Sequence, residues 1–433
     1  MPTLPKMTID EKRKYLMRQQ ARYQNAERPE KSHLLNDMMA MTGLHRKYLI
    51  HLMGSDLRRR PRQCQRGTTY GPKVETALTV VAESLDFICG KRLKPVLLET
   101  ARDLQRHGEL ELDDDLEQAL AKISIATIDR RLPRHHPMDL KLPRKSPSAS
   151  KTKIQRAVPI ATIPWNQPEP GHFEVDLVHH SGPDASGDLV YTLQMIDVTT
   201  GWSERYAILG KSWIVMEEAF RILQQRLPFP IIEIHSDNGS EFLNAHLYHF
   251  WSQQSPKIKL SRSRPYYKND ARFVEQKNAS LVRAYLQDKR YDTVDQVKAI
   301  NCLYERMGLF YNLFQPVMRL EAKCWTTDAQ GSPKLKRTYG QAATPLRRLL
   351  ATHVLQPAQA EAIQHLRYLT NVRALHRDID RQLFQVKLLP NAKPGEQQNV
   401  YHTLTHFASD IQKGDWQPRL DYHLTKQDLL TYP

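Results

Sequence analysis

Apolar residues recur at helical spacing along residues 1–70 and predict two short helices around a turn at Thr42-Gly43. The second of them runs from Leu44 to Met53. The first has an apolar face made by Leu34, Leu35, Met38, Met39 and Met41. Two helices joined by a glycine-containing turn are typical of a helix-turn-helix, in which the second helix contacts DNA.

Basic side chains accompany this predicted turn. The candidate DNA contacts are Arg46 and Lys47 on the second helix and the run that follows it, Arg58, Arg59 and Arg60. The alternative interpretation is a plain helical hairpin with a solvated run of charge.

Residues 71–132 predict a second helical module. Its helices are expected at Val74–Ile88, Pro95–Arg106, Asp113–Ala121 and Ile125–Leu132. Ser124 has the side chain and the position of an N-cap for the last helix. That helix exposes Arg130 and Arg131, so it is a candidate second recognition helix.

Residues 133–163 lack apolar periodicity and are basic and rich in proline and serine. Such a composition is typical of an extended linker. The segment either follows a phosphate backbone or serves as a passive tether, and the two roles are compatible.

Strand-like runs begin after residue 163 and define a core over residues 164–290. Strands are expected at His172–His179, Leu189–Val198, Trp202–Leu209, Ile231–Ile234 and Lys257–Leu260. Helices are expected at Ser212–Leu227, at Glu241–Trp251 and around Glu275 to about Lys289. Three meandering strands followed by alternating helices and strands predict a mixed five-stranded sheet with helices on both faces, an α/β core.

Residues 291–433 predict a mainly helical C-terminal region. A helical pattern runs to Phe314, a short basic strand or loop covers Lys334–Arg337, and further helices are expected at Thr344–His353 and within Ala358–Leu388. No pattern assigns this region a role, and extra DNA binding or contacts between subunits are the default expectations.

The net charge of the 433-residue chain is +16, with a pI near 9.5, which favours a polyanionic partner such as nucleic acid. The four cysteines form no CxxC pair, so reduced thiols in a cytosolic protein and no zinc site are expected. No apolar run is long enough to span a membrane, and the charged N-terminus lacks a signal-peptide core.

Three acidic residues lie where metal-binding carboxylates are expected. Asp176 is in the first predicted strand, Asp237 follows a later strand at a tight Asn238-Gly239 turn, and Glu275 opens a helix. One carboxylate alone binds Mg²⁺ weakly, so the three are candidates for a shared site. Each has a simpler alternative role: a polar residue on a strand edge, a helix cap or a solvated helix acid.

The order and spacing of these acids carry a family resemblance. Asp237 lies in H-S-D-N-G-S-E-F and Glu275 in N-D-A-R-F-V-E-Q-K-N, and the gap between them is near the family's usual ~35 residues. The stretch from roughly Pro164 to Leu286 resembles the catalytic core of DDE integrases and transposases from bacterial insertion sequences and retroviruses. The resemblance implies a ribonuclease-H-like fold.

The resemblance also implies a chemistry. Two Mg²⁺ (or Mn²⁺) ions about 4 Å apart activate the attacking oxygen and stabilise the leaving one. Asp176 is expected to bridge both ions, Asp237 to complete one site and Glu275 the other. Glu174 is the most credible alternative ligand, because it shares a strand face with Asp176. Asp197 is expected to start a turn, and Asp270 to cap a helix.

A basic segment precedes Glu275, with Tyr266 and Tyr267 interleaved. It predicts a loop that holds phosphates and stacks on an unpaired base, although a solvated charged loop is the alternative. The candidate DNA contacts in and just after it are Arg262, Arg264, Lys268 and Lys277.

The function implied is that of a DNA transposase in the bacterial cytoplasm, associated with the nucleoid. It would bind the terminal inverted repeats of a mobile element, cut them and join the 3′ ends to target DNA. Bringing two ends together requires a homodimer or a larger assembly. Two alternatives remain: a hydrolysing nuclease of the same fold, and a catalytically inactive DNA-binding regulator.

Overall fold

The computed structural model of the chain describes residues 7–58, 70–132, 158–164, 166–183, 187–239, 241–254, 257–264, 271–327, 333–393 and 395–404. It divides into two compact units, Met1–Thr69 and Tyr70–Pro433. Within the described ranges, no helix has both the length and the apolar character needed to cross a membrane.

In the described residues of the first unit, three helices cluster around a small core of their own. The helices are α1 (Ile9–Asn25), α2 (Arg28–Thr42) and α3 (Arg46–Met53). Gly43 ends α2 in the left-handed conformation at φ 68°, and the His45 side chain caps α3. The predicted pair of helices around a glycine turn is therefore present, while its contact with DNA stays a prediction.

The described residues at the start of the second unit form five helices, four of which follow the predicted pattern closely. They are α4 (Pro72–Ser84), α5 (Gly90–Leu93), α6 (Leu97–Arg106), α7 (Asp114–Lys122) and α8 (Ile125–Arg131). The Ser124 hydroxyl accepts a hydrogen bond from the Thr127 backbone N–H at 3.2 Å, as expected of an N-cap. The short α5 was not predicted.

These helices are part of the same compact unit as the rest of residues 70–433. The Arg92 guanidinium donates to the Gln315 side chain at 2.9 Å, and Arg373 pairs with Glu83 at 2.7 Å. The side chains of α4 and α6 share one hydrophobic core with the sheet. The segment 71–132, expected as a separate module, thus contributes to the core that supports the sheet.

A mixed five-stranded sheet forms the centre of this unit, as the sequence predicts. Its strands lie in the order β3-β2-β1-β4-β5. They are β1 (His172–His179), β2 (Val190–Asp197), β3 (Ser203–Leu209), β4 (Glu233–Ser236) and β5 (Lys259–Arg262). The first three strands pair antiparallel, and β4 and β5 join in parallel.

Helices cover both faces of the sheet. Helix α9 (Trp213–Arg226) packs against β3 and against α10 (Ala245–Ser252). Helix α11 is a continuous segment made of Arg272–Lys277, the π-helical turns Asn278–Arg283 and Ala284–Leu286, and its first part packs against β1 and β2. The helix expected from Glu241 begins four residues later. Asn244 caps it by accepting the Leu247 backbone N–H at 3.0 Å, and Glu241 lies in the preceding turn.

The C-terminal region adds a long helix, a β-ribbon and three further helices. The long helix α12 (Val294–Leu309) continues into π-helical turns at Phe310–Phe314. The ribbon pairs β6 (Leu320–Thr327) with β7 (Pro333–Tyr339), so the basic segment at Lys334–Arg337 is a strand. The remaining helices are α13 (Pro345–Ala351), α14 (Pro357–Leu369) and α15 (Val372–Leu388), and a 3₁₀ turn follows at Val400–Thr403.

A buried chain of polar groups ties β1 and β2 to α12. The His180 ring is hydrogen-bonded to the Thr192 hydroxyl at 2.8 Å, and that hydroxyl to the Tyr304 hydroxyl at 2.7 Å. Burial lowers the pKa of His180 from 6.5 to about 3, with repulsion from His179 as a smaller cause. The imidazole is therefore neutral in the folded chain at neutral pH.

Because the His180 imidazole is neutral in the fold, we expect the folded chain to lose stability in acid. The unfolded chain binds one more proton at His180 than the folded chain between pH 6.5 and about 3. The free energy of unfolding is therefore unaffected by His180 above pH 6.5, and it decreases by about 1.4 kcal/mol for each pH unit below that value. Urea unfolding at pH 7.0 and pH 5.0 should show the native chain losing about 2 kcal/mol more than His180→Gln. Equal losses in the two proteins would contradict the assignment.

Candidate active site

Asp176 lies on β1, and Asp237 directly follows the adjacent parallel strand β4. In the register of β1 and β4, Glu174 is paired with His235. Continued by two residues along each strand, this register brings Asp176 to the side of Asp237, and the two carboxyl groups are close enough to repel each other. The sheet itself brings together two acids that are far apart in sequence.

The proximity of these two carboxyl groups is visible in their pKa values. Asp237 is exposed at the residue level, yet burial of its carboxyl group raises the pKa to about 6, with repulsion from Asp176 as the next cause. Burial also raises the pKa of Asp176, and the negative charge of Glu275 adds to the shift. The third predicted acid is thus near enough to Asp176 for the two charges to repel.

Helix α11 holds Glu275 over the first strand. Asn278, one turn after Glu275, donates from its amide to the Asp176 carboxylate at 2.6 Å. The Leu177 backbone N–H donates to the other oxygen of that carboxylate at 2.9 Å. These two donors fix the orientation of the Asp176 carboxylate.

Glu174 has a structural place at the beginning of α11. Its Oε2 accepts the backbone N–H groups of Phe273 and Val274 at 2.7 and 3.0 Å. The side chain is 1% exposed, and burial raises its pKa to about 7. The sequence makes Glu174 the main alternative ligand, whereas these hydrogen bonds give it the role of a helix cap.

The turn after Asp237 is held from two sides. The Gly239 backbone N–H donates to Asp237 Oδ1 at 2.9 Å, and Arg262 donates to the Asn238 side-chain oxygen at 2.7 Å. Glu241 lies close by, since a Cβ on Gly239 would meet its carboxyl carbon at 2.7 Å. Lys211 lies 3.9 Å from the Glu241 carboxylate.

The expected DNA contacts occupy several kinds of position. Lys47, Arg58, Arg130 and Arg264 are exposed. Arg46 donates to Asn36 and Ser32 on α2, Arg131 pairs with Glu75, and Arg262 donates to the Val158 carbonyl as well as to Asn238. Three of the expected contacts lie outside the described residues: Arg59, Arg60 and Lys268. The same holds for Tyr266, Tyr267 and Asp270.

Lys277 lies in a strongly positive environment. Burial lowers the pKa of its ammonium group to about 7, and repulsion from Arg92 and Arg205 contributes. The residue is half-buried, so its predicted contact with DNA is less direct than that of an exposed lysine.

Oxygen donors dominate this site, which suits a hard divalent cation. A cation would also relieve the repulsion between Asp176 and Asp237, so the residues fit the implied ion. As the side chains stand in the described ranges, no group of three or more His, Cys, Asp or Glu is arranged to hold a metal ion.

Two neighbours of the acids were not predicted as partners. Asn278 is the last residue of the motif N-D-A-R-F-V-E-Q-K-N, and its spacing of three residues from Glu275 on a helix is the signal that places the two on one side. The sequence pattern assigns Glu241 to a helix, although it follows Asp237 by four residues.

Asp197 starts the predicted turn, because its carboxylate accepts the Thr200 backbone N–H at 2.6 Å.

The chain belongs to the same family as a protein of Sinorhizobium fredii (strain NBRC 101917 / NGR234). It is 35% identical over 303 residues to that organism's uncharacterized protein y4rM, covering 70% of this chain and 86% of the relative. No protein-family model matches the chain.

Two solved structures of integrase cores were found in a structural comparison. The catalytic core domain of BIV integrase matches with a TM-score of 0.27 and 15% identity, over 42% of this chain and 96% of the other. The HTLV-2 integrase catalytic core domain, in complex with magnesium in a dimeric form, matches with a TM-score of 0.25 and 19% identity, over 34% and 90%.

Proposed function

We propose that this protein is a DNA transposase. It binds the ends of a mobile element, cleaves them and joins the 3′ ends to target DNA. The observation that carries the proposal is the proximity of three carboxyl groups: Asp176 on β1 is near Asp237, which follows the paired strand β4, and near Glu275 on α11.

The chemistry follows from the charge at this site. A phosphodiester resists attack, because the nucleophile meets negative oxygens. Magnesium or manganese ions, held by Asp176, Asp237 and Glu275, would neutralise that charge and activate the attacking oxygen. Asn278 and the Leu177 N–H orient the Asp176 carboxylate, and Arg262 with the Gly239 N–H fixes the turn that carries Asp237. No side chain needs to form a covalent bond with DNA.

Nucleic acid is the partner that the overall charge favours. A net charge of +16 attracts phosphate backbones, and exposed cations such as Lys47, Arg130 and Arg264 would contact them. Double-stranded DNA from the terminal inverted repeats and from the target would have to meet in one complex. A homodimer or larger assembly serves this purpose.

A strand-transfer assay tests the proposal and separates its rivals. Labelled DNA fragments carrying the element's own ends, taken from the genomic sequence that flanks the reading frame, are incubated with a target plasmid and Mg²⁺. Joined products that disappear with EDTA are expected of a transposase. Cut ends without joining would identify a hydrolysing nuclease, and bound but unchanged DNA an inactive regulator.

A further inference from the structure

The ribbon formed by β6 and β7 projects from the second unit without a core beneath it. Of its side chains in the described residues, only Leu320, Ala322 and Leu335 are partly covered, and Trp325 is 73% exposed. A two-stranded hairpin is only marginally stable in water by itself. An exposed ribbon with this composition therefore indicates a surface that is completed by a partner.

The base of the ribbon is firmly attached. The backbones of Val317 and Ala343 exchange hydrogen bonds at 3.0 and 3.2 Å, and the Gly340 N–H donates to the Arg319 carbonyl at 2.9 Å. Arg348 on α13 donates to the Val317 carbonyl at 2.6 Å. The ribbon is thus a rooted arm, and its paired residues extend it by roughly 20 Å at about 3.4 Å per residue.

Positive charge is concentrated on both faces of this arm. Lys323 is paired with Arg337, and Trp325 with Leu335, on one face. Lys336 and Lys334 lie on the other face, opposite Cys324 and Thr326. Glu321 is the single acid on the two strands. In the described part of the chain, none of the four cations forms an ion pair.

Like charges directly opposite each other destabilise a ribbon, so Lys323 and Arg337 oppose its formation unless a polyanion compensates them. Edge lysines also disfavour pairing with the ribbon of a second copy. The major groove of B-DNA is about 12 Å wide and admits a two-stranded β-ribbon between two walls of phosphate. Cations on both faces match those two walls.

We propose that the β6–β7 ribbon is a DNA-binding arm that enters the major groove of a duplex. Lys323 and Arg337 contact phosphates on one side, and Lys334 and Lys336 contact those on the other. The inference takes its partner from the proposed function, and it assigns that partner to a particular part of the C-terminal region.

The test measures DNA binding alone, in EDTA, so that catalysis does not enter. Fluorescence anisotropy with a labelled duplex gives the dissociation constant at several salt concentrations. In the full-length quadruple variant K323Q/K334Q/K336Q/R337Q, we expect affinity to decrease roughly 100-fold at low salt. The slope of log K against log salt should become shallower by about 3.6, since each of the four lost phosphate contacts contributes about 0.9.

A matched control carries the same loss of charge elsewhere in the second unit. K91Q/K122Q/K298Q/K393Q removes four exposed cations from other parts of the surface. The proposal requires this variant to keep most of the native slope, and K323R/K334R/K336R to keep the native affinity. Thermal unfolding of all variants shows whether the fold is intact, and little change is expected because the ribbon lies outside the core.

Two outcomes would contradict the assignment of the ribbon as a DNA-binding arm. If the salt slope decreases equally in the ribbon variant and in the matched control, the effect comes from the net charge of the protein and not from the ribbon. A change from oligomer to monomer by light scattering, with DNA affinity unchanged, would assign the ribbon to a second copy of the chain. A failure of the proposed transposase function would give a different result: no joined DNA would form in the presence of Mg²⁺, even though the ribbon binds DNA.

Discussion

The variants Asp176→Asn, Asp237→Asn and Glu275→Gln are each expected to lose DNA joining by at least roughly 10³-fold while retaining DNA binding. Each substitution removes one negative charge and one strong oxygen ligand but keeps the shape of the side chain. A loss of about 4 kcal/mol of transition-state stabilisation corresponds to that factor. The measurement is the single-turnover rate of strand transfer at saturating DNA, alongside anisotropy binding in EDTA.

Glu241→Gln provides the matched control for these variants. Glu241 is an acid near Asp237, but it begins the turn before α10 and faces Lys211 at 3.9 Å. If it only shapes that turn, joining should decrease by less than about tenfold. Loss of joining equal to that of Asp237→Asn would place Glu241 among the ligands, and full activity of any of the three acid variants would remove that residue from the proposed site.

Magnesium binding separates a ligand from a residue that merely supports the fold. In the absence of DNA, calorimetric titration of the native protein with Mg²⁺ is expected to give a weak exothermic or endothermic signal that each of the three acid variants lacks. Removal of the cation by EDTA should stop joining reversibly, and Mn²⁺ should restore it. Joining that continues in EDTA would contradict metal-dependent chemistry.

The sheet could be predicted from the sequence, because its strands are apolar and its turns are marked. The strand His172–His179 has the predicted bounds, and β2 and β3 differ from prediction by one residue at their ends. The sequence predicts only part of the β6–β7 ribbon, as a short basic strand or loop at Lys334–Arg337. Its strands are polar and exposed on both faces, so they lack the alternation that a half-buried strand shows.

The acids could be predicted, whereas the contacts that hold them could not. Asp176, Asp237 and Glu275 stand out by motif and order. The strand register pairs Glu174 with His235, which is 61 positions away in sequence. The hydrogen bond from Asn278 to Asp176 joins residues 102 positions apart. The π-helical turns at Asn278–Arg283 likewise depend on packing, which local periodicity does not encode.

Glu174 connects the first strand to the helix that carries the third acid. Its carboxylate accepts the N–H groups of Phe273 and Val274, which immediately precede Glu275. Two residues further along the strand, Asp176 accepts the amide of Asn278. Strand β1 thus holds α11 at two points on either side of Glu275, and this double attachment sets the position of the Glu275 carboxylate relative to Asp176.

Glu174→Ala is therefore expected to weaken the metal site without removing a ligand. Loss of the acceptor for two buried backbone N–H groups costs about 1–3 kcal/mol, which is roughly a 5- to 150-fold change in an equilibrium. We expect the Mg²⁺ concentration for half-maximal joining to rise by that factor, with DNA affinity in EDTA unchanged. Glu174→Gln keeps an oxygen that can accept both N–H groups, so it should restore most of the native Mg²⁺ dependence.

A buried ion pair between α15 and α12 distinguishes this positioning effect from a general loss of stability. Asp378 on α15 is fully buried and pairs with Arg306 at 2.7 Å, so Asp378→Asn should destabilise the fold measurably in urea unfolding. Its Mg²⁺ dependence should nevertheless match that of the native protein. If Asp378→Asn raises the Mg²⁺ requirement as much as Glu174→Ala does, or if Glu174→Gln fails to restore it, then Glu174 acts through stability or as a ligand, and the attachment of α11 to β1 is not what positions Glu275.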